Sequence, residues 1–115
     1  MSDIPRLTKQ IIDFCEERDW LKYMTPKDLA ISLSIEAAEV LEHVQWKSTE
    51  EIQHALSNPN GKEAFADELA DVFAYLLELA YVTDIDLATA LEKKMEKNAI
   101  KYTVDGSRGK HTNKY

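Results

Sequence analysis

Apolar residues recur along this chain at three- and four-residue intervals, in five stretches. Ile4, Leu7, Ile11 and Phe14 form the first stripe, with Pro5 in the opening turn and a start near Ser2 or Asp3. That helix fades over Glu17-Arg18-Asp19 and leaves Trp20 in a connector. Thr25-Pro26 reads as a capping hydroxyl followed by a proline at the first helical position. Leu29, Leu33, Ala37, Val40, Leu41 and Val44 keep helical period after it, to about Gln45. Ser48-Thr49-Glu50-Glu51 caps a short helix around Ile52 and Leu56. Ser57-Asn58-Pro59-Asn60-Gly61 reads as the clearest loop. A long stripe follows in Phe65, Leu69, Val72, Phe73, Leu76 and Leu79. Asp84 or Asp86 caps a last helix carrying Leu87, Leu91 and Met95, which ends near Tyr102.

The fold class predicted is therefore all-α, a bundle of four to five helices. Three Gly and three Pro in 115 residues agree with long helices rather than strands and turns. No linker divides the chain. Residues 1–102 read as one helical domain, and 103–115 as a basic C-terminal tail without apolar period, flexible in the absence of ligand. A core this small is thin. Additional apolar positions such as Ile12, Ile35 and Tyr81 suit a second copy, so the bundle is expected to be completed by homo-oligomerisation.

The chemistry lies in a repeated pattern. Glu36-Ala37-Ala38-Glu39-Val40-Leu41 and Glu68-Leu69-Ala70-Asp71-Val72-Phe73 share the order acid–apolar–Ala–acid–Val–apolar, 32 residues apart. Two acids three residues apart lie about 60° apart on one helical face. The apolar stripe runs beside them in both helices. If both stripes enter one core, both acid pairs reach the same flank, across axes about 8–10 Å apart. Four converging carboxylates repel and raise one another's pKa. A hard divalent cation removes that cost, and Mg²⁺ takes oxygen ligands while keeping sites for water or phosphate. The plain alternative for any such pair is a solvated helix face.

Charge and motif content narrow the classes. The net charge of −7 argues against a partner made of polymeric nucleic acid, which needs a basic stripe. It leaves room for a single nucleotide bridged by a metal. Cys15 is the one cysteine, so an internal disulfide or a thiolate zinc site is excluded. The first residues lack the pattern of a signal peptide, and no apolar run approaches membrane-spanning length. No membrane partner is expected, and the cytoplasm is the expected location. The Glu-x-x-His repeat of di-iron bundles is missing, because His43 follows Glu39 by four residues and has no counterpart. Gly-rich phosphate loops and serine-nucleophile elbows are also missing.

Glu36-x-x-Glu39, 28 residues, then Glu68-x-x-Asp71 resembles the signature of the MazG-like all-helical pyrophosphohydrolases. The segments Glu17-Arg18-Asp19-Trp20, Gln45-Trp46-Lys47, Asp67 to Leu76, and Asn98-Ala99-Ile100-Lys101-Tyr102 resemble its dCTP pyrophosphatase branch. The resemblance implies Mg²⁺-dependent conversion of a nucleoside triphosphate, such as dCTP or another dNTP, to the monophosphate and pyrophosphate. It implies Glu36, Glu39, Glu68 and Asp71 as metal ligands, and Trp20 and Trp46 as residues that enclose the base. It also implies that Tyr75, Lys94 and Asn98 contact sugar or phosphates. Lys101 shares the face of Lys94 and Asn98 and is grouped with them as substrate-binding. Family members assemble as homodimers or dimer-of-dimers tetramers, with neighbouring subunits completing each site. Tyr102-Thr103 stands where the family often has Tyr-Pro, and Ile11 where some relatives have a polar residue near the base, so the preferred base stays open.

Several residues carry their own reading. Tyr75 lies between the angular positions of Glu68 and Asp71 and faces the same site. Cys15 reads as a buried apolar position, with no His base near it in sequence. The reaction expected is in-line attack of water with Glu36 or Glu39 as general base, and the resemblance implies the α-phosphorus as the attacked atom. Two rivals remain: a non-catalytic helical interaction or adaptor module with solvated acidic faces, and a metal-binding bundle acting on a different phosphorylated substrate.

Overall fold

A computed structural model of the chain describes residues 3–110. The elements are α1 (Ile4–Glu17), a 3₁₀ turn (Leu21–Tyr23), α2 (Pro26–Glu42), α3 (Thr49–Ser57), α4 (Pro59–Val82), α5 (Leu87–Lys101) and α6 (Val104–Ser107). No strand occurs among the described residues. None of the helices is long and apolar enough to cross a membrane. The chain forms two compact units, the first ending at Asp84 and the second beginning at Ile85.

In the first unit α4 is the central helix, and α1, α2 and α3 all pack on it. Its fully buried side chain is Leu77, with Ile12, Cys15, Leu29 and Ala80 also buried. The helix starts are built as their sequences dictate. The Thr25 hydroxyl accepts from the Asp28 N–H at 3.1 Å. Ser48 and Glu51 form a reciprocal capping box at 3.1 and 3.3 Å. Asp86, not Asp84, caps α5, its Oδ1 accepting from the Thr89 N–H at 3.1 Å.

With glycine scarce, non-glycine residues close the helices in the left-handed region: Asp19 (φ 57°) and Asp84 (φ 56°). At the end of α1 the Trp20 N–H donates to the Cys15 carbonyl at 2.9 Å and the Asp19 N–H to the Glu16 carbonyl at 3.0 Å. That is a Schellman motif, and it fixes where Trp20 leaves the helix.

Three expectations are corrected. Ile12, read as a position for a second copy to cover, is already buried within the chain. The segment 57–61 is not a loop. Asn58 alone joins the helices: it ends α3 and caps α4, its Oδ1 accepting from the Asn60 N–H at 2.9 Å. Pro59 then takes the first helical position, where its missing N–H costs nothing. Gly61 belongs to α4, and a Cβ there would collide with the Ala55 carbonyl oxygen. The glycine serves close approach of two helices rather than a turn. Helix α2 also stops at Glu42 instead of Gln45. Bonds from the Val44 N–H to the Leu41 carbonyl (3.0 Å) and from the Lys47 N–H to the Val44 carbonyl (3.3 Å) tighten the chain into turns, and Trp46 adopts φ 66°.

The second unit contains α5 and α6. Tyr102 closes α5, its N–H donating to the Asn98 carbonyl at 2.7 Å. The expected tail from residue 103 opens with one helical turn, α6, capped by the Thr103 hydroxyl, which accepts from the Gly106 N–H at 3.1 Å. Residues 111–115 of that tail lie outside the described residues.

Candidate metal and nucleotide site

Cross-helix partners fix the relation of α2 to α4. Ser32 and Tyr75 share a cavity wall, Glu36 lies within the field of Asp71, and His43 meets Glu68. Numbers rise along one helix as they fall along the other, so the two run antiparallel. Glu36 and Glu39 on α2 therefore meet Glu68 and Asp71 on α4. One carboxylate oxygen from each of the four lies within 4.8 Å of all the others. Glu36, Glu39 and Glu68 are half-buried and Asp71 is exposed.

The electrostatics match that crowding. The Glu36 carboxyl is pushed up to about 7, first by its hydrogen bond with Glu39, then by burial, then by the charges of Glu39, Asp71 and Glu68. Glu68 is raised by burial and then by Glu39, while His43 opposes the shift. Glu36 Oε2 and Glu68 Oε2 are buried and have no hydrogen-bond partner. Buried carboxylate oxygens without donors are costly, and a cation with several oxygen ligands would satisfy both. The donor set is all oxygen, which suits a hard divalent cation rather than a soft metal.

His43 went unnoticed in the sequence as part of this group. Its Nε2 lies 3.6 Å from Glu68 Oε1, and its ring stands edge-on to Phe65 with centroids 5.8 Å apart. The signal was present: residue 43 lies four and seven residues beyond Glu39 and Glu36, on the same face.

A recess adjoins the acids within the first unit. Two cavities of about 190 and 300 Å³ share Cys15, Trp20, Tyr75 and Glu78 in their walls, and Asp71 lines the larger. Trp20 and Tyr75 therefore share the larger cavity with Asp71. The Trp20 ring is held edge-on against Phe14, centroids 5.9 Å apart. The Tyr75 hydroxyl is raised by burial first, then by the charges of Glu78 and Glu36.

Trp46 lines neither cavity and is 91% exposed. Lys94, Asn98 and Lys101 lie on α5 in the second unit, on one face by their spacing. Asn98 is half-buried, with its Nδ2 4.0 Å from Met95 Sδ, and the Lys101 ammonium lies 5.4 Å from the Tyr102 ring centre.

Cys15 is buried, and burial lifts its thiol to about 11, with a further push from its bond to Glu78. Burial and the raised pKa both disfavour its thiolate at neutral pH.

Comparison with known proteins gives the family. A model of the MazG-like family matches residues 31–114. The dCTP pyrophosphatase 1 of Rattus norvegicus is 38% identical over 109 residues, covering 95% of this chain and 62% of the rat protein. That of Homo sapiens is 35% identical over 102 residues, 89% of this chain and 58% of its own. The chain thus spans less than two-thirds of the length of these curated relatives. Among solved structures, a pyrophosphatase from Archaeoglobus fulgidus DSM 4304 superposes with a TM-score of 0.80 at 42% identity, covering 90% of this chain and 94% of that one. By its acidic signature, its helical architecture and these similarities, the chain belongs to the MazG-like family.

Proposed function

We propose that the protein is a Mg²⁺-dependent nucleoside triphosphate pyrophosphohydrolase acting on deoxynucleoside triphosphates such as dCTP. The observation that carries this is the meeting of Glu36, Glu39, Glu68 and Asp71 with two buried carboxylate oxygens lacking donors. The relatives whose names specify dCTP pyrophosphatases supply the substrate class.

The four acids hold the cation. When bound, Mg²⁺ neutralises the triphosphate and the departing pyrophosphate. Glu36 or Glu39 orients a water molecule and takes its proton as the oxygen bonds to the α-phosphorus. The bond from that phosphorus to the bridging oxygen breaks, and pyrophosphate carries away the electron pair. Tyr75 contacts the sugar, and Trp20 forms one wall for the base. Lys94, Asn98 and Lys101 bind phosphates or sugar in this reading. Trp46, exposed in the single chain, acts on the base of a neighbouring subunit within a homodimer or a dimer of dimers.

A pyrophosphate-release screen over canonical and modified nucleotides, with and without Mg²⁺, tests the proposal. Release that needs the metal is the expected result. No release from any nucleotide, with no Mg²⁺-dependent change in melting temperature, would favour the interaction-module reading instead.

A further inference from the structure

Glu78 is a carboxyl group with no obvious structural employment. It is 7% exposed, in the apolar run Leu76-Leu77-Glu78-Leu79-Ala80 of α4. Its one hydrogen-bond partner among the described residues is the Cys15 thiol, whose Sγ lies 3.4 Å from Glu78 Oε1. A thiol is a weak donor. No lysine or arginine lines either cavity that Glu78 faces. A carboxyl so placed lacks donors, and burial raises its pKa.

Its register gives the missing partner a chemistry. Asp71, Tyr75 and Glu78 stand at i, i+4 and i+7 on one face of α4, and all three line the larger cavity. Seven residues of helix span about 10 Å. That is comparable to the reach of a nucleoside monophosphate from phosphorus to the far edge of its base. With the α-phosphate at the acidic cluster, the sugar falls beside Tyr75 and the base between Trp20 and Glu78. Trp20 offers a flat aromatic wall, and Glu78 offers an acceptor at the edge of the ring.

We propose that Glu78 reads the base, its carboxyl oxygen accepting a hydrogen bond from the exocyclic amino group of cytosine. Uracil and thymine present a carbonyl oxygen at that position, which faces the ionised carboxyl as a second acceptor. Carboxylate acceptance from the cytosine amino group is an established pairing. The inference rests on the nucleotide reading above and adds to it the residue that sets base preference.

The test compares the wild type with Glu78→Gln and Glu78→Ala, using dCTP and dUTP with Mg²⁺. Equilibrium binding of dCMP and dUMP is measured alongside. The wild type favours cytosine. Glu78→Ala lowers the dCTP-to-dUTP ratio of kcat/KM by roughly tenfold or more, through loss of dCTP. Glu78→Gln lowers it by raising dUTP, because the amide can offer an N–H to the uracil carbonyl. A wild type without preference between the two bases overturns the proposal. So does a ratio that stays within about twofold of wild type in both variants, since a contact to the base edge is worth more than that. Absence of turnover with every nucleotide would sink the enzymatic reading alone, because binding of the monophosphates still decides the role of Glu78.

Discussion

Glu78 and Glu36 are both carboxyls held above their ordinary range, for different reasons. Glu36 is raised first by its bond to Glu39, within a group of four acids, whereas Glu78 is raised by burial, with the Cys15 thiol pulling the other way. For Glu78 the consequence for stability has a definite sign. Its folded pKa exceeds its ordinary value of 4.5, so the folded state binds the proton more tightly than the unfolded chain. The stabilisation is present in full below about pH 4.5 and is lost as pH rises through the folded value. The titratable groups that share its cavities are Cys15 from α1, Tyr23 from the 3₁₀ turn, Asp28 from α2, and Asp71 and Tyr75 from its own helix. Glutamine keeps the shape and cannot ionise. Melting temperatures of wild type and Glu78→Gln should therefore nearly coincide in acid, with the variant pulling ahead toward neutral pH. A gap independent of pH would mean that ionisation of Glu78 is not what burial opposes. This residue carried a readable signal, an acid inside an apolar run, whose meaning depended on knowing that Cys15 and Trp20 lie opposite.

At the scale of elements, capping chemistry and apolar period located most helix starts, because these are local properties of a few adjacent residues. Thr25-Pro26, Ser48 to Glu51 and Asp86 each behave as their types dictate. Tertiary contact decided the rest. Pro59-Asn60-Gly61 has the composition of a turn, but α3 and α4 approach so closely that only a residue without a Cβ fits at 61. Gly61→Ala should lower stability by about 1–3 kcal/mol, the usual cost of overpacking, despite alanine's better helix propensity. Urea unfolding checks this, and a more stable variant would show that the junction can open without cost. The acidic site was legible because its pattern occurs twice. The recess beside it was not, because it needs α1, α2 and α4 at once.

For the whole molecule, the first unit leaves apolar side chains without cover. Ile31 and Ile35 on α2, and Leu69 and Phe73 on α4, are all exposed. Assembly with further copies of the chain would cover them together with the exposed Trp46. Sedimentation at micromolar concentration should give a dimer or tetramer mass, and a stable monomer would refute the assembly. The central claim is that two acid-bearing helical faces act as one cation-dependent catalytic unit. Pyrophosphate release by Glu39→Gln, at saturating Mg²⁺ and dCTP, tests it most directly. The account predicts a fall of roughly 100-fold or more, with the melting temperature showing that the variant is folded. Release at the rate of the parent protein would contradict it.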